Sequence, residues 1–563
     1  MNTFSPAAIT RPAAHLTHRV TNQAAPRTDI NEYAMNPVLS EAVRRHDASW
    51  AQEELTAIGA LVGERSFQLD ADLANRNIPI FQPFDRWGNR VDEVEYHPSY
   101  HRIIGAAVAH GAHTEAFARP RPGANVARAA AFMLFSQVEP GHACPISMTH
   151  AVVPALDLQP DVAAVWIPRV LSREYDPVLE TPGKRSAIFG MAMTEKQGGS
   201  DVRANTTAAV PAGRGGPGAD YLLTGHKWFC SAPMSDGFLV LAQATGPAGE
   251  GLSCFLLPRI LPDGTRNVFR IQRLKDKLGN KSNASAEIEL DGTVAVMIGE
   301  PGRGVRTIIE MVGRTRLDCV FGSAAGMRQS VAEAIWHARH RSAFGRLLVE
   351  QPAMTAVLAD LALESEAATV TAIRLARAYD EDADDAELGF RRLATAVAKY
   401  WICKRGPQHA YEAMECLGGN GYTEAFPLAR RYREQPVMSI WEGSGNVIAL
   451  DVLRAMSKDP DSVAAFEEEI TLAQGSHRLL DAHLDRVHRQ VRELATMDGN
   501  SAQRGARSVV ESMALGLQAS LLARFSPSAV SAAFIEARLG PDRGLEYGTL
   551  PPGTDAAAIL QRH

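Results

Sequence analysis

A glutamate between a large aromatic and a run of small residues, Ser439-Ile440-Trp441-Glu442-Gly443-Ser444-Gly445-Asn446, is the first place in this chain where acid-base chemistry is written into residue order. Desolvation beside Trp441 disfavours a charged carboxylate and lifts its pKa toward that of a working base. The same segment also reads as an exposed turn. A second stretch, Met191-Ala192-Met193-Thr194-Glu195-Lys196-Gln197-Gly198-Gly199-Ser200, offers two adjacent glycines and two hydroxyls. Backbone N–H groups there can face a phosphate or the edge of a flat heteroaromatic ring, or the glycines can simply turn the chain. Three further stretches are of the same kind. His226-Lys227-Trp228-Phe229-Cys230-Ser231 puts an indole on a strand, as a stacking face or as sheet core. Arg341-Ser342-Ala343-Phe344-Gly345 ends a helix with a cation that suits a diphosphate or the helix dipole. Leu417-Gly418-Gly419-Asn420-Gly421 is a glycine-rich break that admits a ligand or caps a helix.

The elements that must position these residues follow from periodicity. From about Met35 to Phe189 apolar residues recur at three- and four-residue steps, which predicts helices. Between Met191 and Met297 the period becomes two, with Asp-Gly and Pro breaks, which predicts strands. Long breaker-poor amphipathic stretches return from Val305 to Asp380 and from Glu387 to Leu417. After Lys458 another hundred or so residues read as helical, with Leu480, Leu484, Val487, Val491 and Leu494 on one stripe. Helices, then strands, then helices predict segregated α+β domains, mainly α, and exclude a doubly wound sheet. The expected boundaries are an arm over 1–34, a helical domain over 35–190, a β domain over 191–300, a helical bundle over 301–455 and a helical extension over 456–563.

The 563 residues are enough for several packed units, and 22% charged residues is an ordinary globular balance that excludes disorder. A net charge of −6 gives no global attraction to nucleic acid or anionic membrane. Six dispersed cysteines without a C-x-x-C pair predict reduced thiols, neither disulfides nor zinc. With no apolar run of spanning length, the expectation is a cytoplasmic protein that does not enter membranes.

Taken together, in this order and spacing, the five stretches resemble the acyl-CoA dehydrogenase superfamily over about residues 35–455. MTEKQGGSDV, GHKWF, LKDKLGNKSNAS, ICKRG, SIWEGSGN and LDVLR sharpen the resemblance to its AidB-like alkylation-response branch. The resemblance implies a helical domain, a β-barrel domain and a helical bundle, FAD as cofactor, and a homotetramer. Thr194 and Ser200, with Gly198 and Gly199 between them, would hold the flavin and its phosphates, within a segment that includes Met191, Ala192, Met193 and Glu195. Trp228, Phe229 and Cys230 would flank the flavin, with Cys230 standing where a hydroxyl near flavin N5 is usual. Arg341 and Phe344 would reach the FAD of a neighbouring subunit, and Gly418 and Gly419 would serve its adenosine side. Ser439, Ile440, Trp441, Gly443, Ser444, Gly445 and Asn446 would complete the cofactor contacts. Glu442 occupies the family's catalytic-base position. The alternative base position of the isovaleryl-type branch carries Thr315-Arg316 here. The chain departs from the family's first loop at Lys196-Gln197, where Pro-Gly is usual.

Two functions stay open from the sequence alone. One is a flavoprotein that binds duplex DNA after alkylation damage and has weak dehydrogenase activity. The other is a genuine short- or branched-chain acyl-CoA dehydrogenase, handing electrons to an acceptor flavoprotein, whose extension serves oligomerisation. Residues 451–563 carry 12 Lys and Arg against 15 Asp and Glu, so a DNA face must be local. Arg454, Arg478, Arg486, Arg489 and Arg492 are its candidates, with Arg504, Arg507, His477, His483 and His488 nearby; a solvated helix face reads equally well.

Overall fold

The computed structural model describes residues 17–179 and 183–563, so residues 1–16 of the expected arm lie outside the described residues. Its first part is helical, with Pro37–Arg45, Gln52–Gly63, Arg65–Arg76, Pro98–Ala109, Ala124–Ser136, Ala143–Ala151 and Pro160–Val170 as its main helices. Asn36 caps the first of these by accepting from Leu39 N at 3.2 Å, and Pro37 supplies the fixed φ that a first helical turn tolerates. One difference from the periodicity reading is an antiparallel hairpin, β1 (Ile80–Phe84) and β2 (Arg90–Glu95). It is held by distant residues: Arg259 Nη2 donates to Asp92 O at 3.0 Å, and Ile271 N donates to Asp92 Oδ1 at 3.0 Å. A hairpin fixed by contacts nearly two hundred residues away leaves little local signal.

The middle of the chain is a mixed sheet of β3 (Phe189–Ala192), β4 (Ala208–Pro211), β5 (Asp220–Ser231), β6 (Gly237–Ala244), β7 (Gly251–Pro258), β8 (Arg270–Leu274) and β9 (Ser285–Ile298). Pairing runs β6, β4, β5, β9, β7 and back to β6, so five strands close into a barrel. β3 adds in parallel to β6, and β8 to β9. Closure leaves those five strands without a free sheet edge. β6 and β7 are buried along nearly their whole length, which is why they read as continuous apolar runs. In β5 the register with β9 shifts between Lys227 and Cys230. A bulge of this kind breaks strict alternation and re-aims side chains.

Three long helices, Ile309–His340, Pro352–Arg377 and Asp385–Glu415, form the bundle, joined by Pro427–Met438 and Gly445–Lys458. The extension adds Pro460–Thr471, Arg478–Thr496, Gly499–Phe525, Ser528–Leu539 and Ala556–Leu560. Its predicted stripe is buried, and its apolar residues join one hydrophobic core that continues through bundle, barrel and first helices. Buried ion pairs bolt it down. Arg538 meets Asp360 and, at 3.1 Å, Glu364; Arg562 meets Glu366 at 3.0 Å and Glu41 at 2.7 Å. Among the described residues no helix is long and apolar enough to cross a membrane, and no cluster of His, Cys, Asp and Glu could hold a metal ion.

Candidate active site

Glu442 lies in the turn between helices Pro427–Met438 and Gly445–Lys458, with its backbone at φ +57°, a left-handed conformation that a glutamate seldom adopts. Gly443 follows at φ +113°, and a Cβ there would meet Ile448 Cδ1 at 2.8 Å. Three consecutive carbonyls hold the turn. Lys399 Nζ donates to Trp441 O at 3.0 Å and to Gly443 O at 2.6 Å, and Arg316 Nε donates to Glu442 O at 3.0 Å. Lys399 is 1% exposed, so a fully desolvated ammonium is spent on the two carbonyls that flank the carboxylate residue. Arg316 is itself fixed by Asp451 Oδ2 at 2.7 Å. Thr315 donates its hydroxyl to Glu442 Oε2 at 2.8 Å. Burial pushes the Glu442 carboxyl above the ordinary carboxylate range, against the opposing pull of the Thr315 hydrogen bond and of the Arg316 and Lys399 charges.

Residues from all three parts of the chain converge on this turn. Cys144, on the first part's helix Ala143–Ala151, lies beside Ser231 and Asn283 of the barrel. Burial pushes its thiol up to about 12, and the nearby Glu442 charge adds to that. Lys277 Nζ donates to Ser285 Oγ at 3.1 Å, Ser285 Oγ lies 3.0 Å from Ser231 Oγ, and burial pulls the Lys277 amine down to about 8. From sequence, Ser231 stood only at the end of the Trp228 stretch, and Cys144, Lys277 and Lys399 carried no assigned role. Buried lysines without a carboxylate partner are invisible in sequence, because only the fold removes their water.

The barrel rim carries the glycine loop. Trp228 N donates to Thr194 O at 2.8 Å, tying the loop to β5. Gly198 has φ +153° and donates its N–H to Glu195 O at 3.1 Å, and a Cβ on Gly199 would lie 2.5 Å from Thr194 Oγ1, so the loop's close approach to Thr194 requires glycine at 199. Lys196, Gln197 and Ser200 are exposed beside them. Glu195 is placed differently from the reading that put it among ligand contacts. Its carboxylate is fully buried and accepts from Lys227 Nζ at 2.8 Å, Thr206 N at 2.7 Å and Thr207 Oγ1 at 2.6 Å. Those partners outweigh burial and hold its pKa far below the usual range, so its side chain is an internal brace.

Trp228 is half-buried and Phe229 half-exposed, but Lys275 Nζ sits 3.1 Å from the Trp228 ring centroid and covers one of its faces. Cys230 departs further from expectation. It is fully buried, and burial pushes its thiol up to about 12. The β5 bulge is the reason: it breaks the alternation that would have sent Phe229 inward and turns Cys230 into the core instead.

Arg341 donates to Asn22 O, and Ser342 N donates to Asn22 Oδ1 at 2.8 Å, so the arm clasps this segment. Phe344 stands at a hairpin tip with φ +53° and is 99% exposed. Gly418 and Gly419 border open space, with Tyr422 and Ile440 exposed. Trp441 keeps a buried indole N–H without a partner; Ser439 donates to Pro436 O at 3.1 Å, and Ser444 and Asn446 are exposed. The arginines expected to form a DNA face do not act as one group. Arg486 donates to His483, and Arg454 pairs with Asp451 at 3.2 Å. Arg478, Arg489 and Arg492 are exposed on helix Arg478–Thr496.

Residues 22–177 match the model of the adaptive response protein AidB N-terminal domain, residues 190–293 the acyl-CoA dehydrogenase middle domain, and residues 302–457 the acyl-CoA dehydrogenase C-terminal domain. The chain is 46% identical over 482 residues to AidB of Escherichia coli (strain K12), across 85% of this chain and 88% of that one. It belongs to the AidB branch of the acyl-CoA dehydrogenase family. Caenorhabditis elegans acyl-CoA dehydrogenase family member 11 is 30% identical over 481 residues, 81% of this chain and 75% of that one. The structure of C. elegans ACDH-11 in complex with C11-CoA superposes with a TM-score of 0.84 at 26% identity, over 95% of this chain and 94% of that one. The Bd2924 apo-form gives 0.80 at 29% identity, over 90% and 99%. Coverage this broad takes in the extension, so the core with helices packed behind it is an architecture this chain shares with both structures.

Proposed function

We propose that this AidB-branch protein is an FAD-dependent oxidoreductase of the acyl-CoA dehydrogenase type in which Glu442 removes the α-proton of an acyl-CoA thioester. The observation that carries the reading is the Glu442 turn: a carboxylate in left-handed backbone, braced at three carbonyls, with a pKa raised by burial. Removing a weakly acidic C–H proton calls for a base poised nearer neutrality than a solvated carboxylate. Thr315 occupies Oε2, which leaves Oε1 to receive the proton. Lys399 and Arg316 fix the turn so that the carboxylate does not reorient during transfer.

The residues present fit FAD. Thr194, Ser200 and the backbone of the Gly198-Gly199 loop would hold its phosphates and flavin edge, the Trp228 indole would lie beside the ring, and the open space at Gly418 and Gly419 suits the adenosine side. Bound FAD supplies the acceptor for the β-hydride, and an electron-acceptor flavoprotein would reoxidise it. Phe344, with its whole ring in solvent, supports a homotetramer in which it and Arg341 complete a neighbour's site. The acyl-CoA of the ACDH-11 complex supports the substrate class.

The purified protein is expected to be yellow, tetrameric by light scattering, with about one FAD per chain, and its flavin should bleach anaerobically with a short or branched acyl-CoA. A colourless protein that takes up no FAD sinks the reading. Flavin that no acyl-CoA bleaches leaves a flavoprotein without dehydrogenase activity. Duplex DNA binding in the response to alkylation damage is a second reading. It is favoured by Arg478, Arg489 and Arg492, which face solvent without an ion-pair partner among the described residues.

A further inference from the structure

Arg507 comes from the extension helix Gly499–Phe525 and Lys404 from the bundle helix Asp385–Glu415, yet they meet at one point beside the Glu442 turn. A Cβ built on Gly445 would lie 3.2 Å from Arg507 Nη2 and 3.2 Å from Lys404 Nζ. Both cations flank the Tyr400 ring, Lys404 Nζ at 5.8 Å and Arg507 Cζ at 5.9 Å from its centroid. Neither has a carboxylate within ion-pair distance among the described residues. The groups that shift Lys404 say the same thing: burial lowers its pKa, Arg507 and Lys399 lower it further, and no carboxylate opposes them. Arg316 adds a fourth cation to the turn, already committed to Glu442 O and Asp451. Both side chains are exposed, so solvent screens part of the repulsion between these two unpaired like charges, and an anion bound between them removes the rest. The spot is open only because residue 445 has no side chain.

We propose that Lys404 and Arg507 form a phosphate-binding subsite centred on Gly445, through which the C-terminal extension takes part in holding a ligand of the active site. The inference rests on the FAD and acyl-CoA reading above for the identity of that ligand, since the phosphate can be carried by the flavin cofactor or by coenzyme A. It gives the extension a role at the catalytic turn, separate from the outward arginines of helix Arg478–Thr496.

The test is isothermal titration of the full-length apoprotein with inorganic pyrophosphate, FAD and coenzyme A in turn. The parent is compared with the Lys404→Gln/Arg507→Gln double variant and with Gly445→Ala, which fills the spot while keeping both cations. Pyrophosphate affinity is expected to fall at least tenfold in both variants. A parallel loss for FAD with coenzyme A unchanged assigns the phosphate to the cofactor, and the reverse assigns it to the acyl carrier. Without ligand the double variant should melt at or above the parent temperature, because repulsion has been removed, and its stabilisation by pyrophosphate should vanish. Either variant binding all three ligands like the parent overturns the subsite and leaves the flavoprotein reading standing. A double variant that melts several degrees lower with unchanged pyrophosphate affinity makes the pair structural. A parent that takes up no FAD removes the flavin reading, and the pyrophosphate titration then decides the subsite alone.

Discussion

At the scale of single residues the decisive feature is that Glu442 is both strained and braced. Its left-handed backbone persists because Lys399 and Arg316 occupy the carbonyls on and around it. Glu442→Gln keeps size and hydrogen bonding but removes the proton acceptor. Flavin bleaching by acyl-CoA is therefore expected to fall by about a hundredfold or more in stopped-flow traces, with FAD content unchanged. Unaltered bleaching would place the base elsewhere. Lys399→Met tests the brace. Glu442 has a raised pKa and works as a base in its ionised form, so the rate should rise with pH through that raised value. Lys399 pulls this pKa down, so its removal should move the midpoint of the pH–rate profile to higher pH, while Lys399→Arg should restore most of the shift. A profile that keeps its midpoint with only the amplitude lowered would make Lys399 a packing residue.

At the scale of elements, the β5 bulge and the extension's ion pairs matter most. Arg538 is almost enclosed between Asp360 and Glu364, both essentially buried. Arg538→Met leaves those carboxylates without their cation and should lower the unfolding free energy by about 3–5 kcal/mol in urea titrations. A change below about 1 kcal/mol, the range of exposed pairs, would mean that the extension is not fastened there. Helix Arg478–Thr496 buries its apolar stripe and leaves its arginines outside. If it binds duplex DNA, Arg489→Gln/Arg492→Gln should weaken all duplex sequences alike and flatten the salt dependence by about one phosphate per arginine, with flavin content unaffected. A parent that binds no duplex at low salt ends that reading, and a variant that matches the parent at every salt concentration makes these arginines a solvated face.

At the scale of the whole molecule, one continuous core joins four stretches of chain, and its polar fasteners are acid-sensitive. Glu364 is held down to about 2, where burial is outweighed by Arg405 and Arg538. Glu366 is likewise held to about 2, where burial is outweighed by His563 and Arg562. A folded-state pKa below the unfolded value of about 4.3 contributes stability that is complete above that value and lost as pH falls toward the folded one. The urea midpoint is therefore expected to hold above about pH 5 and to drop between about pH 4 and 2. Since Glu364 faces Arg538 and Glu366 faces Arg562, the extension should loosen in this window, visible as amide exchange over 528–563. Exchange confined to the barrel would contradict this.

The sequence by itself determined the class of each segment, because a period of 3.6 or 2 is a local property that burial on one face imposes along the chain. It also determined which short stretches could carry chemistry, since Glu442 beside Trp441 and the paired glycines at 198–199 keep their character in any fold. Through periodicity it did not show that the strands close into a barrel, which only the motif resemblance implied, because pairing of β6 with both β4 and β7 depends on register between distant segments. It misplaced the side chains of Cys230 and Glu195, since a single bulge reverses alternation and a buried lysine can claim a carboxylate. Nor could it separate Arg507 from the arginines of the preceding helix. Only the packing of the extension against the bundle brings the exposed Arg507 beside Lys404 at Gly445, while the equally exposed Arg489 and Arg492 stand apart from it, and which charges become neighbours is a property of tertiary structure alone.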